Sequence, residues 1–424
     1  MNTSNASKTP FGRLVAGICI ASFGYCIAVV IPIALLLTMK LAMLDPANVT
    51  KNFSIVSILA APVGILGLYV SGIISDRTSW KFGRRRPWIL IGASAGLVGL
   101  YFTGKAESFT ALCIFFAISK FFLSFMNTAL YALIPDQVDE SKRGTASGII
   151  GLVSPLSIMI GINLMFMLNS WTIENKFLLL GVISVASAII ACLLVKESNV
   201  DFQKSNEEAS QLRFREKISR IYPSPKKYPY FTYGVLTRFF MAIGYCSATY
   251  TSVYYLEHFH ISQQDLAGIV SMSMNITIPL LAISSILGGV LSDKIGRQKP
   301  FILLSALVTA IGILGYSFAP SISISYIAGA VVSIGFGMFL AVDIALMTRV
   351  LPNPQDAAKD MGIVNIANDL GAPVANALAS PVVSAGGYPL FFGVLSIFAI
   401  LAGVVVKPIP ELEKQADDQI SIAQ

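Results

Sequence analysis

"SDRTSWKFGRRRPW", residues 75–88, sets one acid and five bases between two long apolar runs, in a chain of which only 12% is charged. The pattern returns as "SDKIGRQKPF" at 292–301, in the same setting. About 20 residues of helix cross a ~30 Å hydrocarbon layer, so each cluster reads as a short polar loop joining two membrane spans.

Outward from these loops the sequence gives twelve apolar runs of spanning length. Six precede the longest polar stretch: Leu14–Thr38, Phe53–Ser75, Trp88–Gly104, Ala111–Pro135, Gly144–Trp171 and Phe177–Val195. Six follow it: Phe231–Leu256, Leu266–Ser292, Phe301–Ala319, Ile322–Thr348, Met361–Gly386 and Leu390–Val406. An apolar fraction of 55% fits a membrane chain. The short alternating segments of a membrane barrel are absent, so the spans are helices.

The net charge of +7 is a topology signal rather than a sign of nucleic acid. With the N-terminus inside, 24 of the 30 Lys and Arg fall in cytosolic segments, against four in external loops (Lys40, Lys51, Lys105, Lys176). The positive-inside rule then places both termini in the cytosol. All five cysteines (Cys19, Cys26, Cys113, Cys192, Cys246) fall within spans, without metal or disulfide spacing, and read as small packing residues. His258 and His260 are too close together for a metal site. No Walker loop or other enzyme signature is present, and nothing calls for a cofactor.

The polar stretch 196–230 divides the chain into halves, 1–195 and 231–424. Within it, "LRFREKISRIY" (212–222) suits either an amphipathic helix on the inner membrane surface or a partly ordered linker. The halves echo each other in order: "FGYC" (23–26) with "IGYC" (243–246), Gly72 and Asp76 with Gly289 and Asp293, "NTAL" (127–130) with "DIAL" (343–346). Duplicated halves are how many secondary transporters build a central site that faces either side in turn.

The residues Gly72, Asp76, Arg77, Gly83, Arg84, Arg85, Arg86 and Pro87 resemble the loop signature of the major facilitator superfamily, and the resemblance covers essentially the whole chain. It implies an all-α membrane protein with twelve transmembrane helices in two pseudo-symmetric six-helix bundles, working by alternating access. "LIPDQVDESKRGTASGIIG" (133–151) and "LPNPQDAAKDMGIVNIANDLG" (351–371) are similar to loops of glycoside–pentoside–hexuronide:cation symporters and sucrose-type proton symporters. Carboxylates in spans two and four, which the sodium-coupled members carry, have no counterpart here: span two has none and span four carries Lys120. The resemblance therefore implies protons rather than sodium.

In physical terms, Gly72 and its counterpart Gly289 let helices approach, and Gly83 and Gly296 permit tight turns. Asp76 and Asp293 at the membrane edge are expected to pair with bases across the halves, as a cytosolic gate with Arg77, Arg84, Arg85 and Arg297. The plainer reading, that the bases only anchor topology, explains neither the acid nor the repeat.

Ionisable residues within spans are costly and mark function. Arg238 lies about seven residues inside span seven and Asp343 about six from the end of span ten, each roughly 10 Å below the cytosolic surface. An ion pair that couples protons, or one that merely ties two helices, follows from that depth. Asp369, on a polar stripe of span eleven with Asn365 and Asn376, is a second coupling acid or a packing and gate residue. Lys120, near mid-membrane, is placed to hold an anionic substrate group, to balance Asp369, or to reach water. Tyr25, Asn127, Tyr245 and Tyr250 offer the ring faces and polar tips of a sugar site, or simply pack.

Three functions are consistent with these features. The first is a proton-coupled importer of a sugar or glycoside in a bacterial cytoplasmic membrane, acting as a monomer. The second is a proton-coupled exporter of amphipathic compounds, and the third is a transporter-like solute sensor.

Overall fold

The computed structural model describes residues 9–78, 80, 82–197, 223, 225–352 and 357–410, all helices and short connections apart from one isolated bridge between Trp80 and Gly83. The segment 212–222 and the C-terminal 411–424 lie outside the described residues. The helices are α1 (Phe11–Leu44), α2 (Val49–Asp76), α3 (Arg86–Lys105), α4 (Phe109–Gln137), α5 (Glu140–Met167) and α6 (Ile173–Leu194). Then come α7 (Pro229–Tyr245), α8 (Thr251–His258), α9 (Gln263–Ile295), α10 (Lys299–Ser317), α11 (Ile322–Arg349) and α12 (Ala357–Val405).

Ten helical stretches among the described residues are long and apolar enough to cross a membrane. The sequence count of twelve departs from this at two places, both with a backbone cause. A 3-10 turn, Cys246–Tyr250, interrupts the seventh expected span and leaves α7 with 17 residues. The eleventh and twelfth expected spans run together in the 49 residues of α12, broken at Gly386 and Gly387, whose backbones leave the helical region. Within α1, Pro32 has no N–H to give the preceding turn, and the Leu37 N–H reaches back five residues to its carbonyl.

Two compact units form, Met1–Ser205 with His260–Met274, and Asn206–Phe259 with Asn275–Gln424. Inside the first, α3 packs on α4 and α6, while α1 packs on α5 and α6. Inside the second, α10 packs on α11 and α12, and α7 on α12. The two internal patterns correspond, as the repeated motifs require. Lipid tails are as apolar as leucine, so small residues bring such helices together. A Cβ at Gly99 of α3 would stand 2.8 Å from the Ser119 backbone of α4; one at Gly312 of α10 would stand 2.5 Å from the Val332 nitrogen of α11. The first core gathers Leu14, Ile18, Ile89, Met126, Leu130 and Cys192, the second Met241, Ile302, Phe336, Phe339 and Val342. All five cysteines are free, Cys192 and Cys246 buried and Cys19, Cys26 and Cys113 half-buried.

Candidate functional site

The polar loop at 75–88 is folded by its glycine. Gly83 has φ +104° and Gly296, its counterpart, φ +70°, a region that side chains with a Cβ avoid. The turn at Gly83 throws Arg84 and Arg85 back onto the end of α2. Arg84 Nη2 lies 2.6 Å from Asp76 Oδ1, and Arg85 Nη1 2.8 Å from the same oxygen. Arg85, almost fully buried, also donates through Nε to Asp136 Oδ2 at 2.9 Å and through Nη1 to Ser75 Oγ at 2.7 Å. Among the described residues the partners of Asp76 are thus bases of its own loop, which the turn brings within reach, where the sequence reading looks to the other half.

Glu197, just past α6, completes this cluster. Its carboxylate accepts the backbone N–H of Arg85 at 2.9 Å and of Arg86 at 3.2 Å, two of the amides left open at the start of α3. Burial pushes its pKa up, and those amides and the charges of Arg85 and Arg86 pull it back only in part. A carboxyl whose folded pKa is raised favours the folded state fully below its usual 4.5, and loses that contribution as pH rises through the higher folded value. Glu197→Gln, which does not ionise, is expected to flatten the fall in melting temperature above pH 4.5; an unchanged slope would show that this carboxylate carries no burial cost.

The other motif positions divide. Arg77 is exposed at the end of α2, and Arg297 is exposed in the second loop, its carbonyl accepting from Ser292 Oγ at 3.4 Å. The Asp293 side chain lies outside the described ones. A Cβ at Gly72 would meet only Thr128 at 3.8 Å, and one at Gly289 only Ala341 at 3.7 Å, both ordinary contacts. The point where α2 most needs glycine is Gly67, whose Cβ would fall 2.6 Å from the Phe121 carbonyl. That corrects the sequence reading.

In the second unit α7 and α11 bring two buried charges together. Arg238 Nη1 stands 3.0 Å from Asp343 Oδ2, with the carboxylate side chain 2% exposed. The approach is close, yet no aligned hydrogen bond joins the two, and Asp343 Oδ1 has no hydrogen-bond partner among the described residues. Seven residues along each helix, Tyr245 stacks on Phe336 with ring centres 3.5 Å apart. Seven residues are about two turns, or ~10.5 Å, so α7 and α11 meet at two levels, one ionic and one aromatic.

Of the remaining candidates, Tyr25 is half-buried against the first core. Lys120 and Asn127 are half-buried on α4, beside a polar seam in which Ser124 Oγ donates to the Gly64 carbonyl (3.0 Å) and Ser71 Oγ to Thr128 Oγ1 (2.7 Å). Tyr250 is fully buried and its hydroxyl donates to Asn376 Oδ1 at 2.9 Å. Asn365 and Asp369 are exposed on α12, where Asn368 Nδ2 donates to Asp369 Oδ1 at 3.5 Å. Among the described residues no group of acids, histidines and cysteines could hold a metal ion.

Comparison with known proteins points the same way. A 156-residue stretch is 25% identical to the hexuronate transporter of Bacillus subtilis (strain 168), spanning 34% of this chain and only 36% of that protein's length. The fold is similar to that of a D-xylose-proton symporter, with TM-score 0.70 at 15% identity over 94% of this chain and 97% of that one. It is also similar to a nucleoside transporter, TM-score 0.70 at 12% identity over 93% and 99%. The family profile of the major facilitator superfamily matches residues 13–283 and 271–421. With the paired glycine turns, the matching pattern of helix contacts in each unit and that profile over nearly every described residue, the chain belongs to the major facilitator superfamily.

Proposed function

We propose that this chain is a secondary active transporter that moves a sugar or glycoside into a bacterial cell across its cytoplasmic membrane by proton-coupled symport. The observation that carries the reading is the Arg238–Asp343 pair, buried between two spanning helices and joined without an aligned hydrogen bond. An acid with one unsatisfied oxygen in a protein interior is costly as a carboxylate, and taking up a proton as the pair separates relieves that cost. Twelve crossings result if α7, the 3-10 turn and α8 make one pass and α12 makes two, with both termini in the cytosol. Tyr25, Lys120, Asn127, Tyr245 and Asn365 are the polar groups from which a solute site is built, Tyr250 supporting it through Asn376, with Asp369 as a second acid. The hexuronate and D-xylose transporters to which the chain is similar support a sugar-like solute.

The test is uptake into proteoliposomes under an imposed pH step, inside alkaline, with pentoses, hexoses, glycosides and hexuronates offered in turn. Accumulation of one class that collapses with a protonophore supports the reading; uptake indifferent to the step removes proton coupling. Extrusion of amphipathic dyes under the same gradient would favour the exporter instead. In the same assay Asp76→Asn is expected to slow turnover severalfold and leave solute affinity within about twofold, since the cluster touches loop and helix ends rather than ligand. Its carboxylate is largely exposed, so the stability cost is about 0–1 kcal/mol. Affinity falling in step with turnover would place Asp76 in the solute site.

A further inference from the structure

At the end of the second unit where α7 begins and α11 ends, a cavity of about 320 Å³ opens that shares Gly296 and Arg297 with the second polar loop. Its walls carry four bases, Lys227, Arg297, Lys299 and Arg349, and no acid among the described lining residues. Its floor is apolar, made by the buried Phe231, Leu346 and Ile409. Tyr228 and Tyr230 stand at the mouth, with Lys227 Nζ 5.3 Å from the centre of the Tyr228 ring. Lys299 frames the cavity, donating to the carbonyls of Lys407 and, at 3.1 Å, Ile409, which ties the end of α12 to the start of α10. Because α10 begins at this wall, the positive end of its dipole adds to the four charges.

We infer that this cavity binds the phosphate of an anionic phospholipid headgroup, with the glycerol end of the lipid over the apolar floor. Two features of the cavity separate such a ligand from a free phosphate. A free anion gains nothing from the partly exposed Tyr228, Pro229, Val350 and Leu351 of the lining, whereas a lipid buries apolar surface there. Tyrosines beside lysine and arginine at a span's end are also the ordinary furniture of a membrane interface, where lipid headgroups are at hand. The volume, at the small end of ligand pockets, suits a headgroup rather than a whole lipid.

The experiment is a titration of the purified full-length protein in phosphatidylcholine bicelles with short-chain phosphatidylglycerol, read as thermal stabilisation against lipid concentration. A base near an anionic surface contributes about fivefold in affinity, so Lys227→Gln with Arg349→Gln is expected to weaken apparent binding about 25-fold. Both side chains are exposed and neither ties helix ends together, so melting in phosphatidylcholine alone should stay unchanged and report an intact fold. The equal-charge control Lys51→Gln with Lys142→Gln is expected to stay within about twofold of the parent protein. Inorganic phosphate at millimolar concentration should leave the lipid titration in place. The inference is overturned if the double variant binds as tightly as the parent or if the control loses as much. Displacement of the lipid by inorganic phosphate would also overturn it, marking a site for soluble anions.

Discussion

Asp343→Asn is expected to abolish accumulation of solute against its gradient under an imposed pH step, a loss of about 100-fold or more, while exchange of labelled for unlabelled solute persists. Exchange returns the carrier loaded and needs no net proton movement, whereas accumulation needs a group that is protonated on one side and released on the other. Asp343 has the position for that role: nearly inaccessible, in contact with one cation, and with one oxygen unsatisfied. Its counterpart in the first half is the neutral Asn127, so the duplication has kept a charge on one side only. Continued accumulation by the Asn variant would make Asp343 structural and turn attention to Asp369. Loss of exchange together with accumulation, in a protein that still folds, would place Asp343 in the solute site instead.

The second large effect concerns its partner. Arg238→Ala leaves a carboxylate inside the protein with no cation, and removing one member of a buried pair costs about 3–5 kcal/mol. Removing both charges is far milder, so Arg238→Ala combined with Asp343→Asn is expected to recover most of the lost stability. The comparison is a thermal melt of the two single variants and the double, made in the same detergent. A double variant as unstable as Arg238→Ala alone would mean that the guanidinium stem packs rather than pairs.

Much of this was legible in the sequence, for a reason particular to membranes. A charge inside a spanning helix is so expensive that Arg238 and Asp343 stand out by scarcity, and counting residues from each span's end puts them at one depth. Phe336 gives no such signal, since an aromatic in an apolar helix reads as packing; only the fold sets it against Tyr245. The loop residues were legible as a cluster but their partners were not. Direction after a turn depends on backbone sign, and Gly83 at positive φ sends the two arginines back to Asp76. Glu197 lies more than a hundred residues from the amides it accepts from, a separation no local pattern spans; as the first acid after span six it was visible but unplaced. Tyr250 was read on a continuous helix. The 3-10 turn advances about 120° per residue rather than 100°, so its five residues rotate the next helix by roughly 100°. That rotation accompanies the burial of Tyr250 against Asn376.

The two levels at which α7 and α11 meet impose a rule of spacing. Arg238 and Tyr245 are separated by the same seven residues as Phe336 and Asp343, read in opposite chain directions. Inserting one residue into either interval would rotate one level by about 100° relative to the other and part a matched couple, whatever residue was inserted. Substitutions between the anchors should be tolerated far better than any change of length. These intervals act as rulers, so descendants of this chain are free to change the letters between Arg238 and Tyr245 but not the number of them.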